Sequence, residues 1–428
     1  MRFINDILRQ PAMLAVPLAM ALHLPAAAQA PGVPSEHGPA EHEPLDVDRG
    51  LEWDVLLDRA VLNYPRYVEL AARDAEAQAW SRRSASPFAG RPSLVLGYRS
   101  DDPLDDYGFA EYESGISMPL WRFGQKRAAG QIGRSASDEA AAAESALRWE
   151  VAGALREALW DIEAALNDLE LANEALTVAV EIERVVRRRQ SVGDLPLEDA
   201  LLAETTVLDR RTSVVERRAE LVDAEFAYET LTGLGLRPAV FDEPLTSRRD
   251  FAPSHPLLSL ADAELERTRA QLEFAERDAK GSPTLLIGPR RQRDPMATFY
   301  TDSVGVEVTV PFGGGSHTAT TTAAAVRRVA EAEAERAAVE RRLHAQLHEA
   351  LHTLATAEEA LELAEQRADV AAQHRRMGQT AFEQGEITLV DLLRRVDAAQ
   401  VAERQAAALR VMRGRSIAAV NHAVGELP

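Results

Sequence analysis

The chain contains no cysteine, and this absence removes several classes of chemistry. Disulfide bonds, zinc sites with cysteine ligands, iron–sulfur clusters and cysteine nucleophiles are all excluded. Basic residues are also scarce, since 48 Lys and Arg stand against 68 Asp and Glu and give a formal charge of −20. Because binding to phosphates needs a basic surface, nucleic acid is not an expected partner.

Aromatic residues make up only 5% of the 428 residues, whereas alanine accounts for 75 of them. This composition predicts long Ala-rich helices in close contact rather than a broad globular core. After Ala30 there is no run of 18 apolar residues, so no transmembrane helix is expected. If the mature chain crosses a membrane, it must do so as β-strands of a closed barrel.

The first 30 residues have the pattern of a secretory signal peptide. A weakly basic start precedes an apolar stretch, and Ala28-Gln29-Ala30 is a small-x-small cleavage site. Residues 31–49 are rich in proline, glycine and acidic side chains. They are expected to form a flexible acidic linker.

The remaining chain repeats itself with an offset of 191 or 192 residues. The matching positions are Tyr64-Pro65 with His255-Pro256, Arg91-Pro92 with Ser282-Pro283, Met118-Pro119-Leu120 with Val310-Pro311-Phe312, Gly193 with Gly385, Leu197 with Leu389, and Asp199 with Asp391. A constant offset over this length indicates two copies of one unit. We therefore place a first repeat at 50–235 and a second repeat at 256–427.

Each repeat is predicted to hold a helix, a β-hairpin (93–119 and 284–311) and a long helical hairpin (124–232 and 316–425). Apolar residues in the long helices recur at steps of three and four, which indicates coiled-coil packing. The stripes are Val151, Leu155, Ala158, Ile162, Ala165, Leu169, Ala172 and Leu176, and Leu343, Leu347, Ala350, Leu354, Ala357, Leu361, Ala364 and Ala368. A continuous helix from 124 to 190 would be roughly 100 Å long. The predicted fold class is mainly α with a small β part.

Four β-like runs are visible, at 93–100, 109–119, 284–290 and 300–311. The last is the clearest, because valines at 304, 306, 308 and 310 alternate with small or polar residues. One interpretation is a membrane barrel, and the other is a pair of hairpins packed on the helices. Four strands are too few to close a barrel, and free strand edges are not tolerated in lipid. If the strands span a membrane, several chains must therefore contribute to one barrel.

These features together resemble the TolC-type outer-membrane efflux proteins. The motifs that carry the resemblance are Tyr64-Pro65, Met118-Pro119-Leu120 running into Gly124-Gln125-Lys126-Arg127, and the two glycine turns at 193–199 and 385–393. The resemblance implies a homotrimer in which four strands per chain form a twelve-stranded transmembrane β-barrel above a periplasmic α-helical tunnel. It also implies contact with outer-membrane lipid, a periplasmic adaptor and an inner-membrane efflux pump. The stretch 124–127 is most similar to the heavy-metal (CzcC-like) branch, which favours metal cations over drugs as the substrate.

By motif, Asp391 aligns with the aspartate that rings the closed periplasmic gate in this family, and Asp199 is its counterpart in the first repeat. Arg394 occupies the position at which a second aspartate would complete the gate. An Asp391–Arg394 pair on one helix face would reduce the charge of that ring. For Asp199, a carboxylate favoured by the helix dipole is an equally good interpretation.

The two turns of the helical hairpins are expected to be the adaptor-docking tips. Gly193 and Gly385 should occupy the tight turns, because glycine accepts a positive φ. The apolar residues beside them are expected to be exposed, as in a surface that contacts a partner. They are Leu195, Leu197, Ile387 and Leu389.

One motif points to a different class of protein. His348-Glu349-Ala350-Leu351-His352 has the spacing of a zinc-protease helix, and His344 extends it by one turn. However, Ala350 lies in the coiled-coil stripe and the first repeat has Arg156 and Trp160 in place of the two histidines. A solvated helix face is the preferred interpretation, with a metal-contacting histidine ladder as the speculative one.

No phosphate loop, nucleophile elbow or dinucleotide fingerprint is present, so neither an enzyme nor a cofactor is expected. Two functions remain. The first is the outer-membrane channel of a tripartite efflux system, and the alternative is a periplasmic coiled-coil adaptor or structural spacer without a pore.

Overall fold

The computed structural model describes residues 44–102, 104–105 and 107–427. The predicted signal peptide and residues 31–43 of the predicted linker lie outside this part of the chain. The helices are α1 (Trp53–Asn63), α2 (Tyr67–Ala85), α3 (Gln125–Ser191), α4 (Leu197–Thr232), α5 (Pro256–Asp278), α6 (Gly315–Glu383) and α7 (Leu389–Ala423). The strands are β1 (Asp46–Asp48), β2 (Ser93–Ser100), β3 (Ala110–Pro119), β4 (Leu236–Pro238), β5 (Thr284–Arg293) and β6 (Thr301–Thr309).

The long helices α3 and α6 confirm the prediction from the apolar stripes. They contain 67 and 69 residues, so each is roughly 100 Å long at 1.5 Å per residue. Val151, Leu155 and Ile162 of the first stripe are buried, as are Leu343, Leu347 and Leu354 of the second. Among the described residues, no helix is both long enough and apolar enough to cross a bilayer.

The long helices form two hairpins that lie side by side. Helix α4 returns along α3, α7 returns along α6, and α7 also packs on α3. The lateral order is therefore α4, α3, α7, α6, with one helix of each repeat at an outer edge. Helix α5 packs between α3 and α6, whereas its counterpart in the first repeat, α2, packs on α3 and α1.

The four predicted β-like runs form one antiparallel sheet in the order β2, β3, β5, β6. Ser93 pairs with Ser117 in the first hairpin and Thr284 with Thr309 in the second. The two hairpins are joined through β3 and β5, where Pro119 pairs with Thr284. The edge strands β2 and β6 come from different repeats, as do the edge helices α4 and α6.

The prediction of a flexible linker to residue 49 is wrong for its last residues. Strand β1 pairs in parallel with β4, which follows the first helical hairpin. Leu45 is buried in a cluster with Leu56, Leu155 and Tyr228. Burial of this leucine and the backbone pairing hold the segment against α3 and α4, which the acidic composition of the linker does not reveal.

Candidate functional site

The sheet has one strongly apolar face. Side chains alternate between the two faces of a strand, so the register assigns each residue to a face. The apolar face carries Leu94, Leu96, Tyr98, Tyr112, Ile116, Ile287, Val304, Val306, Val308 and Val310, all of which are exposed. Within the described residues no helix covers them, which contradicts the interpretation of two hairpins packed on the helices.

The opposite face of the sheet is polar and charged. Glu111 is buried between two arginines, with an oxygen 3.0 Å from Arg99 and a second ion pair to Arg290. Glu113 and Glu307 share this face, and no ion pair to either of them is formed within the described residues. The polar face therefore has an excess of one carboxylate per chain.

Aromatic rings follow one another across the end of the sheet farther from the helices. The ring centroids of Tyr98 and Tyr112 are 5.0 Å apart, and those of Tyr112 and Tyr300 are 6.3 Å apart. The guanidinium groups of Arg291 and Arg293 lie over the Tyr300 ring at 5.6 and 5.3 Å. Amphipathic rings of this kind are enriched where a membrane protein passes from hydrocarbon to water.

The two tips have the expected glycine turns. Gly193 and Gly385 have φ values of +79° and +78°, and no side chain could replace them without strain. The expectation that all four neighbouring apolar residues are exposed is wrong. Only Leu197 is exposed, whereas Leu389 is fully buried and both Leu195 and Ile387 are partly buried.

The apolar tip residues are buried because the tips of the two hairpins pack against each other. Their cluster consists of Ile182, Val186, Ala200, Ala203, Phe382, Leu389, Leu392 and Val396. Arg189 ties the tips together, since it bonds to Asp194 at 2.6 Å and donates to the Phe382 carbonyl at 2.7 Å. Sequence reasoning missed Arg189, because it lies in a run of three arginines that resembles a solvated helix end.

The two predicted gate aspartates, Asp199 and Asp391, lie in the first turns of α4 and α7. Thr388 caps α7 by accepting from the backbone N–H of Asp391 at 3.1 Å and donates its hydroxyl to the Asp391 carboxylate at 2.8 Å. A guanidinium nitrogen of Arg394 lies 3.9 Å from a carboxylate oxygen of Asp391, so the expected ion pair forms, but at the longest distance that still counts as one. Asp199 occupies the third position of α4, where a carboxylate is favoured by the helix dipole.

The histidine motif lies on an exposed face of α6. The rings of His348 and His352 are parallel, with centroids 6.4 Å apart. His344 instead packs edge-on against Phe251 at 4.7 Å. Within the described residues of one chain, no group of three His, Asp or Glu side chains could hold a metal ion.

A buried polar cluster joins the two repeats near the C-terminal end of α7. His422 stacks on Trp149 with ring centroids 4.0 Å apart, and His255 meets the same ring edge-on at 5.0 Å. Burial lowers the pKa of His255 to about 4. Burial, together with the nearby Arg156, lowers the pKa of His422 to about 3. No sequence pattern indicates this cluster, because its members are far apart along the chain.

Comparison with known proteins gave one family match, which covers the second half of the chain. Residues 252–426 match the family described as outer membrane efflux protein. A comparison with curated protein sequences gave no match.

The fold as a whole resembles several solved structures. The Vibrio cholerae outer membrane protein VceC is 17% identical with a TM-score of 0.68, and the match covers 87% of this chain and 96% of that one. CusC, whose crystal structures are described in terms of folding and transmembrane channel formation, is 14% identical with a TM-score of 0.70. The match covers 92% of this chain and 99% of that one. The Campylobacter jejuni CmeC outer membrane channel is 15% identical with a TM-score of 0.67 and coverages of 91% and 90%. Residues 252–426 therefore match the outer membrane efflux protein family, and the chain as a whole has the fold of these solved outer membrane channels.

Proposed function

We propose that the chain is the outer-membrane channel of a tripartite efflux system, and that its pore forms only when three copies close into a ring. The observation that carries the proposal is the pair of open edges. At the sheet and at the helical hairpins, one edge belongs to the first repeat and the other to the second. The second-repeat edge of one copy can therefore meet the first-repeat edge of the next.

The two edge helices carry matching apolar stripes. Leu201, Leu208 and Val215 are exposed on α4 at intervals of seven residues. Leu363, Val370 and Met377 are exposed on α6 at the same interval. Both stripes begin about one to two turns from the tip end of their helices, at Leu201 in α4 and Met377 in α6, and extend for about 21 Å. Such a heptad stripe is the seam of a coiled coil without its partner.

The junction inside the chain supplies a template for the junction between copies. Helix α3 packs on α7, with Val178 and Gln400 lining one groove between them. The position 192 residues after Val178 is Val370 on α6, and the position 192 residues before Gln400 is Leu208 on α4. The apolar pair that results is suited to the same packing between α6 of one copy and α4 of its neighbour.

The number of copies follows from the strands. Each chain contributes four strands, so the number of strands in a closed barrel must be a multiple of four. Two copies would give eight strands, and a barrel of that size is filled by its own side chains. Three copies give twelve strands and are the smallest ring with a lumen.

The two-faced sheet argues against the alternative of a spacer without a pore. An exposed face of Leu, Ile and Val would be a severe aggregation hazard in water, whereas it matches the lipid-facing band of a barrel. The charged face would then line the lumen. The excess of one carboxylate per chain on that face, where Glu113 and Glu307 form no ion pair within the described residues, supports a preference for cations.

The substrate and partners extend this proposal. Metal cations are the favoured substrate, with drugs as the alternative, and the pump delivers them through an adaptor that docks on the tips. Leu197, Gly193 and Gly385 are exposed there and available for docking. Asp391 and Asp199 are the proposed gate carboxylates, with the charge of Asp391 reduced by Arg394.

Cysteine cross-linking tests the ring, because the chain has no cysteine of its own. We expect the variant Leu208→Cys/Val370→Cys to give covalent dimers and trimers in native membranes, and nothing larger. Each single variant should remain monomeric on the gel, since a head-to-tail contact never brings two equivalent positions together. The matched control is Leu208→Cys/Asp369→Cys, because position 369 lies at the same height but is rotated by about 100° around α6.

Absence of cross-linked trimers in the Leu208→Cys/Val370→Cys variant would refute the ring. Conductance in planar bilayers tests the pore separately. We expect channels from the trimeric fraction only, with a reversal potential that indicates cation preference. A trimer that conducts nothing would instead favour the spacer.

A further inference from the structure

A groove between α3, α7 and α6 has no role in the channel described above. Its volume is about 370 Å³, which lies within the range of pockets that hold small molecules. The residues that line it include Glu157 and Trp160 of α3, Glu349 of α6, and Met412, Arg415 and Ala419 of α7. All three helices belong to one chain, so the groove is complete before any assembly.

Apolar side chains form much of the lining. They are Trp149, Trp160, Met412 and four alanines. The Met412 side chain is 45% exposed. Because methionine is unbranched and flexible, it can adapt to neighbours of different shapes. The groove is therefore suited to a hydrophobic group, without a demand for one exact shape.

Acidic side chains outnumber basic ones around this groove. Arg415 forms ion pairs with Glu157 and, at 2.9 Å, with Asp161. Glu349 lines the groove from α6 and is exposed, and no ion pair to it is formed within the described residues. Three carboxylates therefore share one arginine.

The other titratable groups at the groove add no charge. Arg156 and Glu243 neutralise each other in a buried pair at 2.7 Å. Burial, together with the nearby Arg156, lowers the pKa of His422 to about 3, so its ring is neutral at pH 7. The groove as a whole is therefore negative and attracts cations.

The groove suits an organic cation better than a metal ion. Across the described part of the chain, no group of three His, Asp or Glu side chains could hold a metal. An apolar lining with carboxylates from two helices instead matches a molecule that carries its positive charge on a hydrophobic body. Of the two substrate classes considered above, this place fits the drugs.

The groove opens on the face of the helical layer that the other elements leave free. On α3, Leu159 packs in a cluster with residues of α1, and Glu157 lies about 160° around the helix from it. On α6, Leu351 packs in the same cluster as Phe251, and Glu349 lies about 160° around the helix from it. In the ring, α1 and the segment around Phe251 lie outside, because their bulk would obstruct a tunnel. The groove therefore faces the lumen.

We propose that this groove is a binding subsite in the tunnel wall for amphipathic organic cations in transit. The hydrophobic body contacts Met412, Ala419 and Trp160, and the positive charge lies near Glu349, which has no counter-ion of its own. A subsite in a channel must bind weakly enough for its cargo to leave. Binding needs only one chain, whereas the position of the subsite inside the tunnel rests on the ring proposed above.

The experiment uses the full chain in a non-ionic detergent, and light scattering first gives the number of copies. The probes are tetraphenylphosphonium and tetraphenylborate, because they have nearly the same shape and opposite charge. Calorimetry measures the binding of each probe, with protein-free micelles as the blank. Conductance of the reconstituted protein in planar bilayers is then recorded with and without each probe.

The site variants are Glu349→Gln, Arg415→Gln and Ala419→Leu. The matched control is Glu358→Gln, which changes the net charge by the same amount as Glu349→Gln. Glu358 is on the same helix, but it pairs with Arg413 and does not line the groove.

We expect the parent to bind tetraphenylphosphonium with a dissociation constant below about 1 mM, and tetraphenylborate more weakly. Glu349→Gln should weaken binding of the cation about 5-fold, and Arg415→Gln should strengthen it by a similar factor, because each changes the charge beside the probe. Ala419→Leu should weaken it at least about 10-fold, since the larger side chain fills the groove. Glu358→Gln should bind as the parent does. Tetraphenylphosphonium should also reduce the conductance of the parent more than that of Glu349→Gln.

Equal binding of the two probes would overturn the subsite, and so would parent-like binding by either Glu349→Gln or Ala419→Leu. A trimer that binds tetraphenylphosphonium without any fall in conductance would overturn its position in the lumen. A monomer that binds the cation as expected would support the groove and overturn the ring, so the two failures are distinguishable.

Discussion

Removal of Arg156 offers a direct test of what holds the two repeats together. Arg156 of α3 and Glu243 of the segment between β4 and α5 form a bidentate ion pair at 2.7 and 2.8 Å. The side chains are only 3% and 8% exposed. Asn421 of α7 donates to the same carboxylate at 3.1 Å, and Arg156 also donates to the Glu426 carbonyl at 3.2 Å. One arginine therefore ties α3, the crossover segment and the end of α7.

We expect Arg156→Met to lower the free energy of unfolding by about 3–5 kcal/mol, because it leaves the Glu243 carboxylate buried without a counter-charge. Arg156→Met/Glu243→Leu removes both charges and should return most of that loss, since replacement of a buried pair by apolar groups is often neutral. The matched control is Arg410→Met. It breaks the Arg410–Glu365 pair on the surface, with side chains 58% and 45% exposed, and should change the free energy by no more than about 1 kcal/mol.

Urea unfolding of the detergent-solubilised protein, followed by tryptophan fluorescence, measures these differences. Trp53, Trp149 and Trp160 all lie around the ion pair, so the signal reports on this region. A loss below about 1 kcal/mol in Arg156→Met would refute the reasoning. So would a double variant as unstable as the single one, because the effect would then come from lost packing rather than from the stranded charge.

Three further predictions concern acidity, the tips and ion selectivity. His255 and His422 are held neutral in the fold, with pKa values of about 4 and about 3, so the unfolded chain binds more protons than the folded chain below pH 6.5. The contribution of these histidines to stability should therefore be fully present above pH 6.5 and be lost as the pH falls toward 3. Thermal unfolding at a series of pH values should show this loss, and the loss should be smaller in His422→Gln. Leu392→Ala should loosen the tip cluster by about 2–5 kcal/mol and speed amide exchange in both tips, whereas exposed Leu197→Ala should leave that exchange unchanged. Glu113→Gln/Glu307→Gln should shift the reversal potential away from cation preference, and an unchanged potential would show that the lumen of the barrel does not select ions.

The duplication and the long helices were predictable because they depend on local patterns. A heptad stripe specifies a helix and its buried side, and the offset between the two repeats can be counted directly from matching residues in the sequence. The predicted start of the long helix at 124 and its observed start at Gln125 differ by one position. The alternation of valines around 304–310 likewise predicted both the strand β6 and its apolar face.

The tips show where this kind of reasoning ends. Leu195, Ile387 and Leu389 lie beside a glycine turn, and the sequence gives no sign that a second tip covers them. The first helical hairpin could not reveal that Arg189 reaches the carbonyl of Phe382 in the other. Contacts between residues so distant along the chain depend on how the hairpins are placed side by side.

The sequence by itself determined the helices, the strands and the division into two repeats, because backbone periodicity and side-chain polarity act over a few residues at a time. Only the tertiary structure decided that Glu243, His255 and His422 meet Trp149 and Arg156 in one buried cluster, since the helix axes must be fixed before groups so far apart can share a site. The edge helices α4 and α6 could also be identified only from the tertiary structure, because a helix face is recognised as unpartnered only when the contacts of the other faces are known.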